Sequence, residues 1–152
     1  MKKKYLIIAA MTIMAACTTQ KPEPVSIEFN QLKSEVIEVH DIAMEQMGVI
    51  MKLKGELKAQ LDTAAIDSTS IQAIADLEAA HEGMMVWMRG FADAFSGDVL
   101  ANGLPANFET EEERKEAESA LEKIKEQQAS VQRMNEEIQA SIAQAQTILA
   151  QE

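Results

Sequence analysis

Between residues 117 and 149 the chain repeats apolar side chains in steps of three and four: Ala117, Leu121, Ile124, Val131, Ile138, Ile142, Ala145 and Leu149. Gln128 and Asn135 occupy the two steps at which this seam turns polar. A repeat of this kind keeps one narrow stripe pointed at a partner along a helix, whereas a strand needs a period of two. A helix with so narrow a seam gains little stability alone and requires other helices with matching stripes. The chain carries two more. One runs through Phe29, Leu32, Val36, His40, Ala43, Met47, Ile50, Leu57 and Leu61, the other through Ile74, Leu77, His81, Met84, Met88, Phe91 and Phe95. Ala, Glu, Gln, Lys, Met and Leu dominate and aromatics make up only 4%, a composition that favours helix over strand.

Local signals set the boundaries. Thr110 with Glu113 reads as a capping box, reinforced by Glu111 and Glu112, and Thr69 with Gln72 reads as another. Asp62 to Ser68 reads as a turn. Ser96 to Phe108, with two glycines, Asn102, Pro105 and Asn107, reads as a loop. The predicted fold is all-α: an elongated, antiparallel, three-helix coiled-coil-like bundle with helices at about 26–61, 69–96 and 110–150. At about 1.5 Å per residue these helices are roughly 54, 40 and 60 Å long, so the first and third overhang the second. Seams this narrow leave outer faces uncovered, which leaves room for a homo-oligomer.

The N-terminus has a different character. Lys2, Lys3 and Lys4 precede a mostly apolar run of about ten residues, followed by Ala15, Ala16 and Cys17. A charged start, a short apolar core and small residues at the cut form a secretory signal. The run is too short for an anchor helix, which needs about 20 residues. Met14-Ala15-Ala16-Cys17 resembles a bacterial lipobox, which implies cleavage before Cys17 and acylation of that cysteine (a palmitate-type anchor). Residues 1–16 are then the signal peptide, 17–25 a lipidated tether containing Pro22 and Pro24, and 26–152 a single helical domain. Thr18-Thr19-Gln20 places no aspartate after the cysteine, which in the sorting rule it resembles points to the outer membrane, facing the periplasm.

Cleavage leaves 136 residues and moves the net charge from −11 to −14. That charge argues against nucleic acid and against electrostatic binding to anionic lipid. Attachment to the membrane therefore falls to the acyl chains. Cys17 is the only cysteine, so no disulfide braces the fold. Catalytic signatures are missing: there is no nucleophile motif and no Gly-rich phosphate loop. The carboxylates lie at spacings such as Glu118–Glu122 and Glu122–Lys125, those of solvated helix faces. Packed helices offer no obvious cleft, and the expectation is that the protein is not an enzyme.

The remaining unusual feature is methionine. Six of the seven methionines after Cys17 fall in two windows, His40 to Met51 and His81 to Met88. His40, Met44, Met47 and Met51 lie within a stripe of roughly 60° on one helix, and His81, Met84 and Met88 do the same on the next. If the turn centres between Leu61 and Ser70, Met47 faces Met84, Met44 approaches Trp87 and Met88, and His81 faces Ile50. Thioether sulfur and neutral imidazole suit Cu(I) or Ag(I). Two sites could form, His40 with Met44 and Met88, and His81 with Met47, Met51 and Met84. Asp41 and Glu82 each follow a histidine by one residue and are expected to point away into solvent. The same methionines also suit an ordinary core, where no cofactor is expected, or a plastic groove for a partner peptide. Haem would find little room among them.

The pattern His40-Asp41-x-x-Met44-x-x-Met47-Gly48, followed by Met84-Met85-x-Trp87-Met88-x-x-Phe91, resembles a group of small bacterial lipoproteins. They are often labelled "viral A-type inclusion protein", a label that reflects coiled-coil similarity. The resemblance covers most of the chain after Cys17 and implies a lipidated helical protein with no assigned activity. The expected function is a membrane-anchored, non-enzymatic binding or scaffold module of the envelope, partnered by itself or by an envelope protein. The alternative is a periplasmic soft-metal carrier.

Overall fold

The computed structural model describes residues 21–61 and 68–151. The expected signal segment, Cys17, the first part of the expected tether and all of the expected 62–68 turn except Ser68, which opens a helix, lie outside the described residues. Among the described residues the protein is all-helical. Its segments are α1 (Pro24–Glu45), α2 (Met47–Leu61), α3 (Ser68–Ala94), α4 (Gly97–Asn102) and α5 (Glu111–Leu149).

The boundaries follow local chemistry. Pro24 opens α1 two residues before the expected start, because a first-turn proline gives up an N–H that the helix would leave unpaired. Glu23 just before it is tied down. Its N–H donates to Ala106 O at 2.7 Å, and its carboxylate accepts from both terminal nitrogens of Arg114. The capping box at the start of α5 forms as read: the Glu113 N–H donates to Thr110 Oγ1 at 3.1 Å and the Glu113 carboxylate accepts from the Thr110 N–H at 3.2 Å.

Two expectations are corrected. The first helix is not continuous over 26–61 but is interrupted at Gln46, whose N–H donates back to Ala43 O at 3.0 Å. That three-residue step tightens the backbone, and Gly48 just beyond it lowers the local helix preference. The loop after α3 contains a helix of its own, α4, which Ser96 caps by accepting from the Val99 N–H at 3.3 Å.

The core is built on heptads. Phe29, Val36, Ala43, Ile50 and Leu57 recur every seven residues along α1 and α2, and each is fully buried. Ile124, Val131, Ile138 and Ala145 do the same on α5. Burying each larger apolar side chain contributes about 1.5–3 kcal/mol relative to leaving it exposed. On α3 the deepest line is rotated from the expected one. Ala73, Ala80 and Trp87 join Leu77 and Met84 in the core, while His81, Met88 and Phe91 are only half-buried. The reason is that α3 packs against α5 on one side and α2 on another, so it must bury two lines rather than one. On α5, Met134 and Ser141 also enter the core, and the Ser141 hydroxyl donates to Ile138 O at 2.9 Å.

Pairs between elements give their directions. Lys58 with Glu78 (3.0 Å), His40 with Trp87 (5.5 Å between ring centres) and Phe29 with Phe95 (5.6 Å) run α3 opposite to α1 and α2. Glu23 with Arg114, Glu28 with Lys125 (3.1 Å) and Glu35 with Gln128 (2.8 Å) run α5 in the same direction as α1. Gln128 thus interrupts its seam in order to reach across to Glu35. Asn135 has a buried Oδ1 with no hydrogen-bond partner among the described residues. The hydrogen-bonded Lys58, reinforced by Lys54, holds the Glu78 carboxyl below its ordinary value of 4.5.

The segment from α4 to α5 folds onto the first turns of α1. Lys33 Nζ donates to Val99 O (3.2 Å) and Leu100 O (2.7 Å), a cation on the carbonyl end of α4. The Asn30 amide makes two bonds with Leu104, donating to its oxygen at 3.0 Å and accepting from its N–H at 2.9 Å. Gly103, at φ 79° and ψ −167°, lets the backbone pass against Asn30.

Candidate functional site

Five rings form a continuous ladder between α1 and α3. Phe29 meets Phe95 edge-on, Phe95 meets Phe91 at 5.5 Å, Phe91 stacks on Trp87 at 5.0 Å, and Trp87 stacks on His40 at 5.5 Å. Trp87 and Phe91 on α3 and Phe95, one residue past its end, follow one another at four-residue spacing, while α1 supplies Phe29 and His40 three turns apart. Beside the upper rungs lies an open groove of about 350 Å³, lined by Ile37, His40, Asp41, Trp87, Met88 and Phe91. Its walls are mainly apolar, and its polar edge is His40 with Asp41.

His40 Nδ1 lies 3.0 Å from Asp41 Oδ1. Asp41 points into solvent as expected, and its carboxylate also turns back to the neighbouring ring, a pairing its spacing on the helix does not suggest. An ionised carboxylate only accepts, so Nδ1 is the donor and the Nε2 lone pair is left available in the neutral ring. Asp41 is exposed, so the bond orients the ring more than it stabilises the fold. Trp87 is 7% exposed, and its Nε1 has no hydrogen-bond partner among the described residues. Trp87 also walls a second shallow depression on its α5 side with Gly83, Val86, Ser130 and Met134.

The residues singled out in the sequence separate by depth. His40 and Met88 line one groove. Met44 stands beyond its rim, 38% exposed. In the other set, Met84 is fully buried, Met51 is 51% exposed, and Met47 and His81 are half-buried. His81 precedes Trp87 by six residues, about 9 Å along the axis, and so belongs to another level of the molecule. Sequence reasoning placed Trp87 near the methionines. It missed Ile37 and Asp41 as groove residues, although Ile37, three residues before His40, shares that helix face. Neighbouring helices with bulky ladder rings leave an open groove between their outer rims, with Asp41 as its acidic lining residue and no paired carboxylates.

Among the described residues no three His, Cys, Asp or Glu side chains converge as a metal-binding group. An ion held in this groove would need thioether sulfur beside His40 Nε2. No helix among the described residues is long and apolar enough to cross a membrane. No family model, curated protein or solved structure matches the chain.

Proposed function

We propose that the protein is an envelope lipoprotein, anchored through Cys17 and facing the periplasm, that acts as a non-enzymatic binding or scaffold module. Its architecture is read as an elongated antiparallel three-helix coiled-coil-like bundle. The observation that carries the binding role is the groove of Ile37, His40, Trp87, Met88 and Phe91: a rigid aromatic wall with an oriented imidazole at its edge. Such a surface suits an apolar side chain presented by a partner protein, with a polar group of the partner meeting His40 Nε2.

A photo-crosslinking residue at Ile37 is expected to give a discrete adduct in envelope membranes, while the same residue at the exposed Glu136 gives none. Equal labelling from both positions, or labelling from neither, removes the reading. The anchor has its own test. Cys17→Ser is expected to move the protein from the membrane fraction to the soluble one; full membrane retention of that variant rules out the lipid.

A second reading, soft-metal binding, rests on His40 and Met88 lining the same groove while Asp41 holds Nδ1, the second-shell arrangement that orients a histidine ligand. Trp87 is the only tryptophan and reports directly on it. Anaerobic titration with Cu(I) or Ag(I) is expected to change its emission with sub-micromolar affinity, and His40→Ala or Met88→Leu to weaken that binding at least about tenfold, one lost ligand being worth 1.4 kcal/mol or more. Affinity unchanged in both variants sinks the metal reading and leaves the partner reading standing.

A further inference from the structure

The heptad that builds the core also orders a second line on the outer surface of α1 and α2. Ile37, Met44 and Met51 recur every seven residues and are 38%, 38% and 51% exposed. Between them, also seven apart, come Asp41, Gly48 and Gly55. Because the core residues Val36, Ala43, Ile50 and Leu57 hold the same period, this outer line keeps its facing along the whole length from Ile37 to Gly55. Its first rungs, Ile37 and Asp41, also wall the groove beside Trp87, while Met44 and Met51 stand outside the core cluster and form the open part of a second helix-packing seam.

The glycines sharpen the point. A helix-interior glycine costs about 1 kcal/mol relative to alanine. A Cβ built on Gly48 or Gly55 would meet nothing within 4 Å, so packing inside the chain does not require them. Large methionines alternating with bare backbone give knobs beside shallow seats, a surface that fits another helix closely.

Charge identifies which helix. The flank of this seam carries Glu38 and Glu45 on its α1 half and Lys52 on its α2 half, again at heptad spacing. Two copies laid antiparallel about a two-fold axis near Gly48 bring Glu45 of each against Lys52 of the other. In that register Met44 of one copy falls between Met51 and Gly55 of its mate, and the two Gly48 backbones approach at the axis. A parallel pair would instead set Lys52 opposite Met47 and leave Glu45 opposite His40. Among the described residues Lys52 reaches the exposed Glu56, at 3.6 Å, a pair weak enough to exchange.

We propose that the α1–α2 outer seam is a self-association surface, and that the protein pairs with a second copy of itself as an antiparallel two-fold dimer through Met44, Gly48 and Met51. The tethers then leave from opposite ends, so a dimer anchored at both ends lies along the membrane rather than standing on it.

Sedimentation of the full chain in mild detergent tests this. A dimer is expected, with Met44→Glu plus Met51→Glu weakening it by about 100-fold or more, since two apolar side chains would be replaced by charges in the contact. Both residues are exposed, so the thermal midpoint of the variant, extrapolated to low concentration, should not fall. Glu45→Lys alone should weaken the dimer, and Glu45→Lys with Lys52→Glu should restore it. Gly48→Cys should give a disulfide-linked dimer on oxidation, whereas Gly90→Cys, at an equally open glycine on α3, should not. A monomer at all accessible concentrations, a dimer indifferent to the methionine substitutions, or a charge swap that fails to restore pairing would overturn the proposal. Ile37 and Asp41 belong to both the seam and the groove, but none of the substituted residues Met44, Gly48, Met51, Glu45 and Lys52 lines the groove, so these variants report on pairing and not on what the groove binds.

Discussion

Trp87→Ala is expected to destabilise the fold by about 3–5 kcal/mol, a large part of the roughly 5–15 kcal/mol a domain has available. Trp87 is 7% exposed and sits in the middle of the ring ladder, 5.0 Å from Phe91 and 5.5 Å from His40. Removing it opens a void between α1, α3 and α5 that the heptad-locked neighbours cannot close. The comparison with Trp87→Phe separates the contributions. Phenylalanine keeps a ring in the stack and removes the unpartnered Nε1 donor, so its cost should stay below about 1.5 kcal/mol. Urea unfolding followed by circular dichroism measures both, because neither variant retains tryptophan emission. Equal losses for Ala and Phe would mean that the indole's polar edge, rather than its packing, holds the ladder.

Gly103→Ala is expected to cost about 3 kcal/mol, although Gly103 lies in a connecting segment far from the centre of the core. Two effects add. Its φ of 79° with ψ of −167° lies in a region that only glycine occupies without strain. An added Cβ would also fall 2.1 Å from Asn30 Oδ1, the atom that accepts the Leu104 N–H. The alanine variant therefore strains the backbone and pushes out Asn30, breaking both of its bonds to Leu104. Amide hydrogen exchange should show the consequence locally, with faster exchange at Leu104 and over α4 and little change in the middle of α5. Asn30→Ala should reproduce the loss of the two bonds without the backbone strain and cost less. If Gly103→Ala matches wild type in its unfolding midpoint, the docking of this segment onto α1 contributes nothing to stability.

Much of the helical framework was legible in the order of residues. The heptad through Phe29, Val36, Ala43, Ile50 and Leu57 appears in the chain as it appears in the core, because a seven-residue repeat returns each time to the same face of the helix. The Thr110–Glu113 box was equally legible, since both partners of a cap lie within one turn. The places that were misread depend on neighbours far along the chain. The sequence marks an inward line on α3 through Ile74, Leu77, His81, Met84, Met88, Phe91 and Phe95, of which Ile74, Leu77 and Met84 are buried and the others half-buried. The line extends to Ala73, Ala80 and Trp87, because α5 covers the side of α3 that its own hydrophobicity pattern does not mark. Ser96 caps α4 and Asp98 lies in its first turn, but this short helix sits among glycines and a proline, which mark the segment as a loop. The groove was less legible still. His40, Trp87 and Met88 were singled out, but Ile37 and Asp41 were not. A groove is the space between two rims, and no single helix encodes its width.

What the sequence determined by itself is what short-range physics decides: helix as the regular element of the described residues, the heptad seams of α1, α2 and α5, the Thr110–Glu113 cap and the approximate helix ends. By contrast, α3 begins at Ser68, one residue before the expected cap Thr69, and the Gln72 amide turns to Asp76. What only the tertiary structure decided is depth. Met84 and Met51 look alike in their windows, yet one is fully buried and the other half in solvent. The rotation of each helix about its axis, set by the two neighbours it must satisfy together, makes that choice. The same rotation places His40 against Trp87 and leaves Met44 and Met51 facing outward.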